Sequence, residues 1–174
     1  MNPCTQTIAI RAARLSDIEQ IARIYADYVT NTTITFETTP PSANELAERY
    51  HDIRAAGAPY LVAVDGETVL GYAYAAPFKT RAAYRYTLEH SIYLDPRATG
   101  KGLGRALLDE LIETCRLLGF AEMLATVAGD DNHASLALHA RCGFLPVGVL
   151  RKVGYKHDRW LDVTLLQRSL RSET

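Results

Sequence analysis

Apolar residues recur every three or four positions in several stretches of the chain, which is the period of one face of a helix. In "SDIEQIARIYADYV" this period runs from Ile18 to Tyr28. Ser16 opens the stretch and Glu19 follows three residues later, which predicts a capping box at the start of the helix. Ser42 and Glu45 repeat the pattern in "PSANELAERYHDIRAAG". Two further helices are predicted over "RALLDELIETCRLLGF" and "DDNHASLALHARCG".

A second group of stretches is rich in β-branched and aromatic residues, which is typical of strands. The clearest case is a hairpin, in which two such runs flank a turn at Asp65-Gly66-Glu67. The polar segment "NTTITFETTP" is predicted to be a loop. The predicted strands are "TIAIRAA", the two arms of "YLVAVDGETVLGYAYAAPF", "AYRYTLEHSIYLDP", "AEMLATV", "FLPVGVLRKVGY" and "RWLDVTLLQRSL".

The order of these elements predicts the fold class. It reads β, α, α, three strands, α, β, α, β, β, which indicates an α/β protein with a mixed sheet and helices on its faces. Strands and helices do not alternate strictly, so a doubly wound nucleotide-binding fold is a poor match. A chain of 174 residues without a long linker is expected to form a single domain over residues 1–174.

Composition and charge exclude several classes of protein. A net charge of −1 argues against a general nucleic-acid binder, which needs a concentrated cationic surface. No stretch of the sequence approaches the ~20 continuous apolar residues of a membrane span. The N-terminal residues lack the pattern of a signal peptide. We therefore expect a cytoplasmic protein with neither nucleic-acid nor membrane partners.

The three cysteines are expected to be free thiols. Cys4, Cys115 and Cys142 are far apart and odd in number, and they show neither a CxxC pair nor a zinc-binding spacing. Free thiols suit a reducing cytosol. His133 and His157 fit no metal-ligand spacing either, and we expect no metal.

The segment "RATGKGLG", residues 97–104, is a glycine-rich turn between a predicted strand and a predicted helix. A P-loop would need GxxxxGK[ST], but Asp95 stands at its first glycine and Gly102 at its Ser/Thr. The dinucleotide fingerprint GxGxxG fails because residue 105 is arginine. Both nucleotide motifs are therefore excluded as written.

A simpler anion site remains possible at this turn. Glycines let the backbone present successive N–H groups, and a helix that starts near Leu103 adds unpaired donors and its dipole. Lys101 and Arg105 add positive charge. These features suit a pyrophosphate, although from the residues alone a plain strand-to-helix turn is an equal alternative.

Two segments together resemble the acetyl-CoA-binding segments of the GNAT N-acetyltransferases. These are "TGKGLG", with Thr99 where the family has Gln or Arg, and "DDNHASLALHARCGF". The resemblance implies the GNAT acyl-CoA N-acyltransferase fold, with a twisted, mostly antiparallel central sheet, and acetyl-CoA as cosubstrate. It also implies that the strand before the glycine loop bends away from its neighbour to admit pantetheine. The implied acetyl-CoA-binding residues are Ile92, Tyr93, Leu94, Thr99, Gly100, Lys101, Gly102, Leu103, Gly104, Arg105, Asn132 and Ser135.

A narrower resemblance covers nearly the whole chain. "NTTITFETTP", "YTLEHSIYL", "GLGRALL", "HARCGF" and "RWLDV" are similar to the phosphinothricin and methionine sulfoximine acetyltransferases. This subfamily implies a small amino acid or analogue as the acceptor of the acetyl group, a role in herbicide or antibiotic resistance, and a homodimer.

Acetylation of an amine needs a base, and Glu89 in "YTLEHSIYL" is the candidate. It lies in an otherwise apolar and aromatic strand, and such surroundings make a carboxylate a stronger base. From the residues alone a surface salt bridge is the alternative, whereas the resemblance implies the catalytic glutamate. His90 is expected to point to the opposite face of the strand and to have a structural or supporting role.

His139 is the second catalytic candidate. It occupies the position at which GNAT enzymes commonly carry a tyrosine that protonates the leaving thiolate, and the subfamily also carries histidine there. His139 could donate a proton in the same way, or it could hydrogen-bond Glu89 or the substrate. A structural histidine beside the core is the remaining alternative.

The segment "FKTRAAYRY" supplies candidates for binding the acceptor. Lys79, Arg81 and Arg85 offer cations for a substrate carboxylate, and an arginine could bind it with two parallel hydrogen bonds. A solvated loop is the alternative. By resemblance, Phe36 and Tyr84 form the wall around the acceptor side chain.

These observations favour direct attack of the amine on acetyl-CoA in a ternary complex, because neither Cys115 nor Cys142 has a recognisable base partner. Two rival functions remain. The acceptor could be another amine, such as a polyamine, an aminoglycoside or a protein N-terminus. Alternatively, the chain could be a non-catalytic acyl-CoA-binding sensor.

Overall fold

The computed structural model describes residues 8–129 and 132–171, and Cys4 therefore lies outside the described residues. The strands and helices follow the predicted order, and the segment between the first two helices is irregular, as predicted. Three short 3-10 turns lie at Leu15–Asp17, Ala82–Tyr84 and Pro96–Ala98. The main elements are β1 (Ile8–Ala12), α1 (Ile18–Asn31), α2 (Ala43–Ala55), β2 (Tyr60–Asp65), β3 (Thr68–Pro77), β4 (Thr87–Leu94), α3 (Leu103–Leu117), β5 (Glu122–Ala128), α4 (His133–Arg141), β6 (Leu145–Lys156) and β7 (Arg159–Ser169).

The seven strands form one sheet in the order β1-β2-β3-β4-β5-β7-β6. Strands β4 and β5 are parallel, and the other neighbouring pairs are antiparallel. The parallel pair is possible because α3 carries the chain from the end of β4 back to the start of β5, as a parallel connection requires. The prediction of a mixed, mostly antiparallel sheet is confirmed.

Helices lie against both faces of β4, and alternate residues of that strand identify the two faces. Tyr93 packs against Tyr25 and Tyr28 of α1, with ring centroids 5.0 and 5.1 Å apart. Leu94 approaches Gly104 at the start of α3. The face of β4 that carries Tyr93 and Glu89 is therefore the α1 face, and the face that carries His90 and Leu94 is the α3 face.

The predicted capping box at Ser42 is confirmed, and the one at Ser16 is wrong. The Glu45 N–H donates to Ser42 Oγ at 3.2 Å, and the Ser42 N–H donates to Glu45 Oε2 at 2.7 Å. Ser16 instead lies inside the first 3-10 turn. There Asp17 accepts the Arg14 N–H at 2.7 Å and two bonds from the Arg11 guanidinium at 2.7 and 2.9 Å. A carboxylate that is paired with an arginine is a stronger acceptor than a serine hydroxyl.

Candidate active site

The first feature of the site is a gap between β4 and β5. The parallel ladder holds for three residue pairs and ends at Glu89 and Leu124. Beyond that point β4 stays on β3 as far as Leu94, while β5 stays on β7 as far as Ala128. A cavity of about 320 Å³ lies between the separated strands. The bend that the family resemblance implied is therefore present. The strand residues that line the cavity are His90, Ser91, Ile92 and Tyr93 of β4, Ala125, Thr126, Val127 and Ala128 of β5, and Val163 of β7.

The second feature is the glycine loop at the start of α3. Gly100 and Gly102 have positive φ angles of 77° and 78°, which L side chains rarely adopt. Gly102 directly precedes the first residue of α3, so the unpaired N–H groups of the helix start are presented at the loop. The conformation that an anion site requires is therefore present.

A cavity of about 360 Å³ adjoins this loop. Thr99 lines it, but its hydroxyl donates back to the Pro96 carbonyl at 2.9 Å. The Leu103 side chain is buried in the core, which leaves its backbone for any ligand contact. Lys101 is exposed and lies outside this lining, whereas Arg105 is part of it. The lining residues from the loop and α3 are Thr99, Gly100, Gly102, Gly104 and Arg105.

The two cavities share four lining residues and therefore form one continuous groove. Asn132 precedes the first residue of α4, and its Nδ2 donates to the Ala128 carbonyl at 3.3 Å. The start of α4 thus closes the groove on the side of β5. The shared residues are Ile34, Ile92, Asn132 and Ser135.

Glu89 lies at the point where β4 and β5 separate. Its side chain is half-buried, and its Oε1 accepts a hydrogen bond from the Thr126 hydroxyl. Thr126 lies two residues beyond Leu124, the register partner of Glu89, so the two side chains share a face of the sheet. The carboxylate is thereby oriented at the head of the gap.

His139 lies on the other side of the sheet from Glu89, and its ring contacts His90. The two Nε2 atoms are 3.0 Å apart, and His139 Nδ1 lies 2.7 Å from the Ser135 carbonyl oxygen. Both rings are buried. A hydrogen bond from His139 to Glu89 was one of the predicted roles, and in this structure the partner is His90 instead. Direct proton transfer from His139 to another group would require one of these contacts to break.

The predicted acceptor-binding residues separate into two groups. Phe36 lines the cavity between β4 and β5. The segment with Lys79, Arg81, Tyr84 and Arg85 is exposed, and within the described residues neither cavity of the groove is lined by it. The exposed side chains contact neighbouring aromatic rings: Lys79 lies over Phe78, Tyr84 packs edge-on against Phe78, and Arg85 lies over Tyr86.

The loop that carries Phe36 is fixed by the β6–β7 hairpin, which the sequence analysis did not connect with the site. Lys156 Nζ donates to the Thr35 carbonyl at 2.8 Å. Gly154 leaves room for the Phe36 ring, because a Cβ built there would lie 2.3 Å from two ring atoms. A glycine inside an apolar strand is a known signal of close approach, and here it could have pointed to this contact.

Neither the described cysteines nor the described potential metal ligands form a second reactive site. Cys115 and Cys142 are free and buried, and burial raises the thiol pKa of Cys115 to about 12 and that of Cys142 to about 11. Within residues 8–129 and 132–171 no cluster of His, Cys, Asp and Glu could hold a metal ion. None of the described helices is long and apolar enough to cross a membrane.

Comparisons with known proteins agree with this geometry. Residues 10–165 match the family described as Acetyltransferase (GNAT) domain. The chain is 45% identical over 161 residues to phosphinothricin N-acetyltransferase of Alcaligenes faecalis, covering 92% of this chain and 82% of that protein. It is 43% identical over 167 residues to the L-methionine sulfoximine/L-methionine sulfone acetyltransferase of Pseudomonas aeruginosa, covering 93% and 94%. The crystal structure of a phosphinothricin acetyltransferase from Sinorhizobium meliloti in complex with AcCoA superposes with a TM-score of 0.90 at 46% identity, covering 94% and 88%.

Proposed function

The chain belongs to the GNAT family of acetyltransferases, and from that premise we propose that it transfers the acetyl group of acetyl-CoA to the amino group of a small amino acid or amino-acid analogue. Phosphinothricin, methionine sulfoximine and methionine sulfone are the leading acceptors, because relatives at 43–45% identity are named for acting on them. The observation that carries the proposal is the groove that leads from the glycine loop to Glu89 through the gap between β4 and β5.

In this proposal acetyl-CoA occupies the whole groove. The pyrophosphate binds the N–H groups at Gly100–Gly104, where the start of α3 also contributes its dipole. The pantetheine arm lies in the gap along Ile92–Leu94 and pairs with backbone groups of β4 that face away from β3, while Asn132 and Ser135 contact it from the start of α4. The thioester then reaches the head of the gap, close to Glu89.

Glu89 acts as the general base of the proposed reaction. It takes a proton from the ammonium group of the acceptor, and the free amine attacks the thioester carbonyl. A backbone N–H in the gap stabilises the oxyanion. An acyl-enzyme on cysteine is not part of the proposal, because Cys115 and Cys142 are buried thiols with raised pKa values.

The acceptor carboxylate is assigned to the cationic segment that includes Lys79, Arg81 and Arg85, with Phe36 and Tyr84 against the acceptor side chain. An α-amino acid carries its carboxylate next to the amine, so a cation is needed near Glu89. The cavity between β4 and β5 has neither Lys nor Arg among its described lining residues. The exposed segment that ends at β4 is the nearest source along the chain, and it would have to fold over the bound acceptor.

A substrate panel tests the proposed function. Thiol release from acetyl-CoA is measured with phosphinothricin, methionine sulfoximine, methionine sulfone, proteinogenic amino acids, polyamines and an aminoglycoside. Turnover of at least one amino-acid analogue supports the proposal. Turnover of polyamines or aminoglycosides alone assigns the other amine class, and acetyl-CoA binding without turnover of any amine indicates a sensor.

A pair of variants tests the base. Glu89→Gln keeps the size of the side chain and removes its basicity, so kcat is expected to fall by about 10²-fold or more at neutral pH. Glu48→Gln, at an exposed position of α2, is the matched control and keeps wild-type kinetics. Unchanged activity of Glu89→Gln would withdraw the assignment of the base.

A homodimer belongs to the same proposal. Strand β6 is an edge of the sheet, and its apolar strip, defined as Leu145, Val147, Val149, Leu150, Val153 and Tyr155, is exposed. A long apolar edge of this kind is a template for association, and a second copy of the chain would cover it. Light scattering after gel filtration is expected to give a dimer, and Val149→Lys is expected to give a monomer. A wild-type monomer at micromolar concentration would refute the dimer.

We also assign the enzyme to the cytoplasm. The free thiols Cys115 and Cys142 suit a reducing compartment, which is also where acetyl-CoA is made available to enzymes. Cell fractionation tests the location, and expression in a sensitive host on phosphinothricin tests the role in resistance.

A further inference from the structure

The ring contacts of His90 and His139 determine where their hydrogens lie. A carbonyl oxygen can only accept, so His139 Nδ1, at 2.7 Å from the Ser135 carbonyl, must carry a hydrogen. In a neutral ring Nε2 of His139 is then bare and accepts. His90 Nε2, at 3.0 Å, is therefore the donor of the bond between the two rings. The remaining nitrogen, His90 Nδ1, carries no hydrogen.

The surroundings of the pair keep both rings neutral. His90 and His139 are 5% and 3% exposed. The ring of Phe144 packs against both, with its centroid 5.3 Å from that of His90 and 5.2 Å from that of His139. Burial and repulsion between the two rings lower the pKa of His90 to about 3. Burial also lowers the pKa of His139, and its bond to Ser135 opposes this only in part.

The groups packed against the pair offer it no counter-charge. On β4 the adjacent Glu89 faces the other side of the sheet. In the described part of the chain, the titratable group in hydrogen-bond or ring contact with each ring is the other ring, and the remaining partners of these two kinds are Ser135 and Phe144. Both rings also border the cavity between β4 and β5, whose described lining contains neither an acidic nor a basic side chain apart from the two histidines. His90 Nδ1 is buried without a hydrogen-bond partner, which suits a bare nitrogen better than an N–H. A proton on either ring would be an unpaired buried charge.

We propose that His90 is a positioning residue that locks His139 in its Nδ1–H form and keeps it out of proton transfer, so that the hydrogen that ends on the coenzyme sulfur comes from the nitrogen of the acceptor. This inference rests on the proposed function, because it assigns the protons of that reaction.

The protons of the reaction balance without a histidine. Glu89 removes one proton from the ammonium group, and the nitrogen forms its bond to the thioester carbon while the carbonyl electron pair moves to oxygen. The intermediate carries a positively charged nitrogen with two hydrogens on it. When the C–S bond breaks, its electron pair goes to sulfur, the carbonyl re-forms, and the nitrogen gives up one hydrogen to that sulfur. The products are the amide, coenzyme A thiol and protonated Glu89, which releases its proton to water.

The role of the histidine pair in this proposal is structural rather than catalytic, because it holds α4 against β4. The carbonyl that anchors His139 is that of Ser135. Ser135 and Asn132 lie within one turn of each other, and both line the groove for acetyl-CoA. Loosening the pair is therefore expected to change the KM for acetyl-CoA more than kcat.

Nuclear magnetic resonance tests the inference on the wild-type protein, with two variants used only to assign its signals. Long-range ¹H–¹⁵N correlations of the imidazole rings report which nitrogen is protonated, and the His90→Gln and His139→Gln proteins assign the signals. His139 is expected in the Nδ1–H form and His90 in the Nε2–H form, both without titration from pH 5.5 to 8. Titration of either ring in this range, or the opposite tautomers, would overturn the proposal.

Kinetics supply a second, independent readout. His139→Gln is expected to raise the KM for acetyl-CoA about 3- to 10-fold and to leave the midpoint of the acidic limb of the pH–rate profile where the wild type has it. His51→Gln, at an exposed position of α2, is the matched control. Loss or displacement of that limb in His139→Gln would identify His139 as a proton carrier and refute the inference. If the wild type binds acetyl-CoA but acetylates no amine, the proposed function fails. The resonance experiment does not depend on turnover, so it still decides whether His139 is held in the Nδ1–H form.

Discussion

Thr126 offers a sharp test of how Glu89 is prepared to act as a base. Its hydroxyl donates to Glu89 Oε1 across the head of the gap. Thr126→Val removes that donor and keeps the branched shape, and the backbone of β5 remains paired with β7 at Leu165. The substitution therefore changes one hydrogen bond to the carboxylate and little else.

The size of the effect follows from the position of the bond. A hydrogen bond to a charged group contributes about 1.5–3 kcal/mol, and the exposed side chain of Thr126 places this one at the lower end. Because about 1.4 kcal/mol of transition-state stabilisation corresponds to a factor of ten in rate, loss of the donor that orients the carboxylate is expected to lower kcat/KM for the acceptor about tenfold.

The assay is kcat/KM for the acceptor between pH 5 and 9, measured by thiol release at saturating acetyl-CoA. Thr126→Ser keeps the hydroxyl and is expected to restore the wild-type kcat/KM. Thr164→Val, on the neighbouring strand β7, is the control for a strand threonine whose loss leaves Glu89 untouched. If kcat/KM of Thr126→Val equals that of the wild type across this pH range, the hydrogen bond does not prepare Glu89 for the reaction and the reasoning is refuted.

Two further predictions concern the acceptor wall and the first turn. Gly154→Ala is expected to displace the Phe36 ring, which lies 2.3 Å from the new Cβ position, and therefore to raise the KM for the acceptor several-fold without changing the KM for acetyl-CoA. Gly148→Ala is the control, because a Cβ at that position has no heavy atom within 4 Å. Equal kinetics of the two variants would contradict the expectation. Burial opposes ionisation of Asp17, but its bonds to Arg11 and to the preceding backbone outweigh burial and lower its pKa. Its contribution to stability is therefore present above pH ~4 and lost on acidification. Asp17→Asn is expected to cost about 2 kcal/mol of unfolding free energy at pH 7, the contribution of hydrogen bonds to a charged group, and progressively less below pH 4 in urea titrations. A difference that does not vary with pH would contradict this.

The parts of the fold that the sequence predicted correctly depend on signals that lie close together in the chain. The two positions of the capping box, Ser42 and Glu45, are three residues apart, and the glycine loop at Gly100–Gly104 lies directly between a strand and a helix. The alternation that separates Glu89 from His90 is a property of neighbouring residues. Such signals are readable because the contacts that enforce them are local.

The parts that could not be predicted depend on contacts between distant residues. The pairing of His90 with His139 joins positions 49 residues apart, and that of Glu89 with Thr126 joins positions 37 residues apart. Ser16 shows that a distant contact can also override a local signal. Despite its local capping pattern, it lies inside a 3-10 turn in which Asp17 accepts hydrogen bonds from the Arg14 N–H and from Arg11 on β1.

The separation of β4 from β5 leaves only a short connection between two parts of the sheet, and this affects the stability of the molecule. Within the described residues, the backbone ladder between β4 and β5 consists of three residue pairs, at Thr87–Glu89. A ligand that pairs with the free backbone edges would supply cross-links that the chain itself lacks, and its binding free energy would then be added to the free energy of unfolding. A higher concentration of the cosubstrate in the cell would thus make separation of β4 from β5 rarer, and the amide hydrogen of Ile92, which faces the gap, would exchange with solvent more slowly as the supply of acetyl-CoA rises.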